Sequence, residues 1–181
     1  DIRKDALYCD SLSSKKRKDC VTVLNIILEC LLKWFAPILA FTTEEIYSLI
    51  NKKDESIHEQ QFVEIPQNWK NNELNSKWEK LFKIRQEANI AIEEKRTNKE
   101  IGSSLEAEIK IIADNEAFNL LEGIDLAEYF ITSKAEKIKK DNKNKIKKEV
   151  KKTIGNKCPR CWKILASNCT RCEEASLKKN K

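Results

Sequence analysis

The chain has 181 residues, with 35 Lys and Arg against 29 Asp and Glu and a net charge of +6. Its 40% hydrophobic content supports a core and excludes a wholly disordered chain, while only three Gly and three Pro argue for long helices over a turn-dense β sandwich. The charge is uneven: residues 134–181 hold 17 basic and 5 acidic residues and residues 1–133 hold 18 and 24, so a mildly acidic body carries a basic tail suited to a polyanion, most often nucleic acid, or merely to solvation.

The chain contains no Met and opens on Asp1-Ile2-Arg3-Lys4-Asp5, which reads as the inside of a charged helix. A fragment that starts within an element is expected, or else a trimmed mature chain. Residues 18–35 place Val21, Leu24, Leu28, Leu31 and Phe35 at the period of an amphipathic helix, with Ile26, Ile27 and Trp34 widening the apolar face. Pro37 ends or bends it. The run Thr42-Thr43-Glu44-Glu45 then reads as a capping box, with Thr42 as cap, opening a helix through Ile46, Tyr47, Leu49 and Ile50. Residues 51–72 are polar, contain Pro66 and read as a loop.

A third helix is expected over 73–98, with the stripe Leu74, Trp78, Leu81, Arg85, Ala88 and Ile92. Arg85 interrupts that seam, either as an arginine paired or snorkelling within the fold, or as a phosphate contact. Leu105, Ala107, Ile109 and Ile111 alternate with polar residues as in a half-buried strand. Residues 114–122 read as a short helix, and Ala127, Tyr129 and Ile131 as a second strand. Residues 134–152, mostly Lys with scattered Ile, read as a solvated basic linker or frayed helix. The expected fold is mainly α: an antiparallel helical bundle over 1–100, a small α/β appendage over 101–133, the linker, and a C-terminal four-cysteine zinc knuckle over 153–181.

The knuckle carries the chemistry. Cys158-Pro159-Arg160-Cys161 and Cys169-Thr170-Arg171-Cys172 are two Cys-x-x-Cys pairs separated by seven residues. Each pair can offer two thiolates through a tight turn, and together they make the tetrahedral four-thiolate set that Zn2+ favours, with no position left for water. One structural zinc is expected; iron, a redox dithiol or two disulfides are the competitors. Arg160, Trp162, Lys163 and Arg171 surround the site, and charge beside an exposed ring is what single-stranded RNA requires. Trp162 could equally be a lid over the metal. Cys9, Cys20 and Cys30 stand singly and fit buried or idle thiols, and His58, the only histidine, reads as a surface residue. With no glycine-rich phosphate loop and no second His, the segment carries no catalytic residues of its own. No apolar run approaches the ~20 residues of a membrane helix, and nothing indicates secretion, so a cytoplasmic location is expected.

Several stretches resemble the C-terminal region of bacterial isoleucyl-tRNA synthetases, a class I family. Asp1-Ile2-Arg3-Lys4-Asp5-Ala6-Leu7-Tyr8-Cys9, Thr22-Val23-Leu24, Trp34-Phe35-Ala36-Pro37-Ile38-Leu39 and Phe41-Thr42-Thr43-Glu44-Glu45-Ile46 are similar to its anticodon-binding bundle. So are Trp78-Glu79-Lys80-Leu81 with Ile84-Arg85, and Ile101-Gly102-Ser103-Ser104-Leu105-Glu106-Ala107. Lys157-Cys158-Pro159-Arg160-Cys161-Trp162 resembles the family's terminal zinc motif. The resemblance implies a parent ligase that charges tRNA with isoleucine using ATP and edits valine. ATP and the editing site would belong to upstream domains of the same polypeptide and not to this segment. The implied partner is isoleucine tRNA, the implied state a monomer. Ser13-Ser14-Lys15-Lys16-Arg17 lies inside the bundle and is not the family's lysine–serine catalytic loop. The seven-residue gap is short beside the family's and predicts a knuckle without a protruding finger. An independent zinc-ribbon RNA-binding module, or a structural helical protein with a solubilising tail, are the alternatives.

Overall fold

A computed structural model describes residues 2–51, 55–140 and 146–177. Parts of the expected loop (52–54), the expected linker (141–145) and the basic tail (178–181) lie outside the described residues, as does Asp1. The chain divides into two compact units, one of residues 13–70 and one of residues 1–12 with 71–181. The protein is mainly α with a small sheet, but the bundle expected over 1–100 is distributed over both units.

In the second of these, helix α1 spans Lys4–Cys9. The unit of residues 13–70 holds α2 (Lys15–Phe35) and α3 (Ala40–Ile50). The Ser14 side chain caps α2 by accepting from the Arg17 N–H. The predicted Thr42–Glu45 capping box is not formed. After Pro37 the chain turns tightly, with the N–H groups of Ile38 and Leu39 both donating to the Phe35 carbonyl, so α3 starts earlier, at Ala40 with Leu39 in place of Thr42 as its cap residue. The Thr43 hydroxyl instead donates to the Leu39 carbonyl, and Glu44 accepts from the Ser56 hydroxyl and the Ile57 N–H, each at 2.9 Å. Those bonds hold the 3-10 turn Ile57–Glu59, whose His58 is exposed as expected. Leu32, Ala36, Tyr47 and Ile57 form the small core of this unit. The predicted stripe is largely outside it: Leu24 is 45% exposed, and Leu28, Leu31 and Phe35 are exposed too. Periodicity marked α2 as amphipathic, but one helix and one turn cover only a narrow strip of a two-sided apolar helix.

The other unit continues with α4 (Asn72–Thr97), capped by Asn71, whose side chain accepts from the Leu74 N–H at 2.8 Å. Strand β1 (Ala107–Ala113) follows, then α5 (Asn115–Leu120) and α6 (Leu126–Phe130). Strands β2 (Lys134–Lys139) and β3 (Lys147–Lys152) complete a sheet of order β2-β1-β3, with β2 parallel and β3 antiparallel to β1. Leu81, Ile84, Ala88 and Ile92 of α4 bury against Ala107, Ile109, Ile111 and Ala113 of β1, with Tyr129 and Phe130. Leu74 and Trp78, the predicted start of that stripe, remain exposed.

Two expectations fail here. The predicted strand at 127–131 is helix α6, because Asp125 caps it by accepting from the Glu128 N–H and because Leu126, Tyr129 and Phe130, spaced three and four apart, all bury. Its alternation was coincidental. The predicted linker 134–152 contains both outer strands of the sheet. Val150 joins the core with Ala135 packed beside it, while Lys134 pairs with Glu108 and Glu136, and Lys110 with Glu136. Edge strands carry lysine to block further pairing, and composition alone reads such strands as linker.

Candidate metal centre and its basic surround

From Thr153 the chain enters a short hairpin, β4 (Asn156–Lys157) paired antiparallel with β5 (Ile164–Leu165), followed by α7 (Thr170–Leu177). Gly155 is required where the hairpin opens: at φ +150° a Cβ would collide with the Leu165 carbonyl. Cys158 and Cys161 stand on the turn between the two strands. The Trp162 N–H donates to the Cys158 carbonyl and the Cys158 N–H to the Lys163 carbonyl, both at 2.9 Å. The second pair sits otherwise: Cys169 precedes α7 and Cys172 lies in its first turn, with the N–H groups of Cys172 and Glu173 donating to the Cys169 carbonyl at 3.0 Å. A helix start favours negative charge, so this pair too suits thiolates.

The topology brings the four sulfurs together within 4.8 Å of one another, with Cys161 and Cys169 3.9 Å apart. Thiolates tetrahedrally placed at about 2.3 Å from a metal are separated by about 3.8 Å. Their protonation points the same way. Burial opposes ionisation at Cys158, but the N–H groups of Cys161 and Arg160 and the neighbouring thiols outweigh it and bring Cys158 down to about 7. Burial pushes Cys161 up, with the Cys158 thiol adding to it. Burial, then Cys169 and Cys161, push Cys172 up. Cys158 thus ionises readily, while Cys161 and Cys172 resist until a cation supplies the opposite charge. The four cysteines can hold a metal ion, and the donor set fits the group expected from sequence.

The basic residues expected to meet RNA are brought to this site but are engaged within the protein. The Arg160 guanidinium donates to the carbonyls of Cys9 at 2.6 Å and Tyr8 at 3.2 Å, closing over the C-terminus of α1. Arg171 grips Asp5 through two bonds of 2.7 and 2.9 Å and reaches Asp10 at 3.2 Å. Lys163 pairs with Asp5 at 3.5 Å. Arg85 lies apart from the knuckle, donating to the Tyr129 carbonyl at 2.9 Å with its cation 5.9 Å from the centre of that ring. Trp162 alone of the five projects a free face. It is 61% exposed, and at φ +64° it holds a left-handed conformation unusual for a residue with a Cβ. Ser133 also ties the knuckle to the sheet, accepting from the Ile164 N–H at 2.6 Å while its hydroxyl donates to the Leu105 carbonyl.

Four contributors escaped the sequence reading: Asp5, Asp10, Cys9 and Ser133. Asp5 and Arg171 are separated by 166 positions, so no local pattern could pair them. Cys9 is 7% exposed and packs with Cys158, Cys161 and Cys172 in one cluster. Burial first, then the Asp5 carboxylate, push its thiol up. Beside it lies a cavity of about 580 Å³, lined by Ile2, Tyr8, Cys9, Leu105, Cys161 and Trp162 among others. Among the described residues no helix is long and apolar enough to cross a membrane.

Comparison with known proteins adds the family. Residues 1–111 match the family described as the anticodon-binding domain of tRNA ligase. The chain is 53% identical over 171 residues to an isoleucine–tRNA ligase of Pelagibacter ubique, covering 94% of this chain and 19% of that protein. It is 43% identical over 174 residues to the isoleucine–tRNA ligase of Agrobacterium fabrum, covering 91% of the chain and 18% of the relative. For Gluconobacter oxydans the figures are 38% over 166 residues, 91% and 17%. The chain therefore spans about a fifth of the length of these relatives. These matches run beyond the family segment, and the chain belongs to the anticodon-binding domain family of tRNA ligases.

Proposed function

We infer that the chain is the tRNA-binding, C-terminal part of an isoleucine–tRNA ligase, whose ATP-dependent charging of tRNA with isoleucine takes place on upstream domains of the same polypeptide. The observation that carries this reading is the 53% identity to such a ligase across 94% of the chain. In this reading the protein is a cytoplasmic monomer, and Cys158, Cys161, Cys169 and Cys172 hold one structural Zn2+. The metal supplies folding energy to a segment with almost no core of its own, and with four protein ligands it does no chemistry on substrate. Helices α2 and α3, joined through residues 36–39, form one hairpin of an antiparallel bundle, and the exposed apolar residues of α2 face other parts of the ligase.

The RNA-contacting role falls first on Trp162. Its exposed ring offers a stacking platform, and Lys151, Lys152 and Lys157, all exposed, lie on the segment that leads into the knuckle. Arg160, Lys163 and Arg171 contribute by fixing the knuckle through Tyr8, Cys9, Asp5 and Asp10 and by adding positive potential, and Arg85 by fixing α6. The test is a salt titration of the zinc-loaded chain with isoleucine tRNA and with the same tRNA carrying a swapped anticodon. Phosphate contacts predict a fall of roughly 0.7 log units in affinity per log unit of salt for each contact to a single strand. Trp162→Ala is expected to weaken binding by about 1–3 kcal/mol per stacked base with little change of slope. A Lys151→Ala, Lys152→Ala double variant should reduce the slope. Equal affinity for both tRNAs, unaltered by Trp162→Ala, would sink the assignment of anticodon reading to this surface.

A further inference from the structure

A tetrahedral site takes four thiolates, and the cluster at the knuckle contains five cysteines. The fifth, Cys9, comes from α1, more than 140 positions away from the others in sequence. Its sulfur lies 3.7 Å from the Arg160 carbonyl, immediately before Cys161, and Cys9 and Cys161 line the same cavity. The Arg160 side chain simultaneously grips the Cys9 and Tyr8 carbonyls. That clasp uses no metal ligand. It sets Cys161 beside Cys9 in the folded knuckle, so that Cys9 is at hand at the moment the metal leaves, whereas Cys169 and Cys172 reach Cys161 from a separate helix.

We propose that Cys9 is a resolving thiol for the metal centre: when a peroxide oxidises Cys161 and the metal leaves, Cys9 and Cys161 close a disulfide that ties α1 to the knuckle. The step rests on the metal reading of the four cysteines. The Cys161 thiolate attacks hydrogen peroxide; an S–O bond forms, the O–O bond breaks, a sulfenic acid remains, and the departing hydroxide takes up a proton to become water. With one ligand lost, Zn2+ leaves the other three. The Cys9 sulfur then attacks the Cys161 sulfur; the S–S bond forms, the S–O bond breaks, and hydroxide leaves with the thiol proton as water. Two thiols and one peroxide give one disulfide and two waters. Release of the metal frees the backbone around Cys161 to adopt the Cα separation a disulfide demands. The bond blocks reloading until a reductant cleaves it, and the Cys161 sulfur is kept from irreversible over-oxidation.

Tryptic cleavage places every cysteine of the cluster on its own peptide: Cys9 on 5–15, Cys158 on 158–160, Cys161 on 161–163, Cys169 on 164–171 and Cys172 on 172–178. The zinc-loaded full chain is treated with a few equivalents of hydrogen peroxide, alkylated, digested without reductant and analysed by mass spectrometry. The expected product is peptide 5–15 joined to 161–163, two hydrogens lighter than their sum and lost on reduction. Zinc release, followed with a chromogenic chelator, should accompany it. Recovery of Cys9 in alkylated form while the four knuckle cysteines pair among themselves would overturn the proposal. In Cys9→Ser the reduced protein should keep one zinc per chain, and the oxidised protein should over-oxidise Cys161 to sulfinic acid more than wild type does. Loss of zinc from reduced Cys9→Ser would make Cys9 a ligand, which also overturns it. Zinc content of the reduced wild type is read separately: a value near zero refutes the metal reading, and the cross-link still decides the pairing.

Discussion

The two compact units bury their apolar residues very differently. In the unit of residues 1–12 and 71–181, α4 lays Leu81, Ile84, Ala88 and Ile92 on one face of a three-stranded sheet, and fifteen buried residues form a continuous cluster. In the unit of residues 13–70 only Leu32, Ala36, Tyr47 and Ile57 are buried hydrophobics in its cluster, while Leu24, Ile27, Leu28, Leu31, Trp34 and Phe41 stay exposed, Phe41 at 94%. Of the two long helices, α2 is the more apolar and carries the stronger amphipathic period, yet it is the one left exposed. What differs is the number of elements available to cover each helix, which periodicity does not encode. Stability should therefore concentrate in the sheet unit and in the metal centre attached to it.

Metal removal should have the largest effect. Structural zinc in small peptides is worth roughly 10–16 kcal/mol of apparent binding energy, which for such segments is folding energy. Reduced protein is expected to carry one zinc per chain, and Cys158→Ser or chelation should abolish amide protection across 156–177. Because Arg160 and Arg171 join the knuckle to α1, protection at 4–10 should fall with it, while β1 keeps its own. Hydrogen exchange read by segment decides this. Protection of 4–10 that survives metal removal would mean that α1 is held by the sheet unit alone.

The next effect tests the contrast between the units directly. Leu81 is fully buried, and Leu81→Ala should cost about 2–5 kcal/mol. Phe41→Ala removes a larger side chain from a position already in water and should stay within about 0.5 kcal/mol. Denaturant midpoints of the two variants, followed by segment-resolved exchange, would refute the comparison if Phe41→Ala proved as costly as Leu81→Ala.

The sequence made some of this legible and hid the rest for identifiable reasons. The long helices, β1 and its alternation, α5, and the four metal-capable cysteines were readable, because each is signalled by spacing within a few residues. The strands β2 and β3 were not, since Lys134 of β2 meets Glu108, and Lys148 of β3 meets Glu87, only after folding places them side by side. Nor was α6, where Ala127, Tyr129 and Ile131 mimic a strand, and the Asp125 cap and the spacing of Leu126, Tyr129 and Phe130 are the signals that argue for helix. The clasp of the knuckle on α1 was invisible because Asp5, Cys9, Arg160 and Arg171 become neighbours through the fold alone. For the same reason Arg160, Lys163 and Arg171 looked like free RNA contacts.

That clasp gives a pH dependence of smaller size. Burial alone would raise the Asp5 carboxyl, but the Arg171 hydrogen bonds and the charges of Lys163 and Arg171 outweigh it and hold the group below the usual carboxylate range. A carboxyl with a lowered folded pKa contributes stability that is complete above its unfolded value, about 3.9, and is lost as pH falls through the lower folded value. Wild type should therefore exceed Asp5→Asn in stability at pH 6 and converge with it towards pH 3. The measurement is a pair of denaturation curves at each pH in zinc-supplemented buffer. A constant gap down to pH 3 would show that Asp5 acts through packing or neutral hydrogen bonds.

The smallest effect separates the two roles Trp162 can have at the metal centre. Its left-handed φ of +64° costs a residue with a Cβ about 1–2 kcal/mol, and glycine escapes that cost. If the ring serves only as a lid on the cysteines, Trp162→Gly loses the packing and gains the relaxation, and RNA affinity should be indifferent to it. A ring that stacks on a base gives a different pair of results. Trp162→Gly should then hold zinc against a competing chelator as well as wild type or better, because a side chain 61% exposed contributes little packing to lose. Its tRNA affinity should nevertheless drop by the roughly 1–3 kcal/mol of a stacked base. Trp162→Ala supplies the control: it removes the ring but keeps the strained backbone, so it should match glycine in RNA affinity and fall below it in zinc retention. A strained residue kept at a site where glycine would be more stable is the expected signature of a side chain retained for binding. Equal zinc retention in the alanine and glycine variants would remove the backbone cost from the argument, and unchanged tRNA affinity in both would leave the ring as a lid.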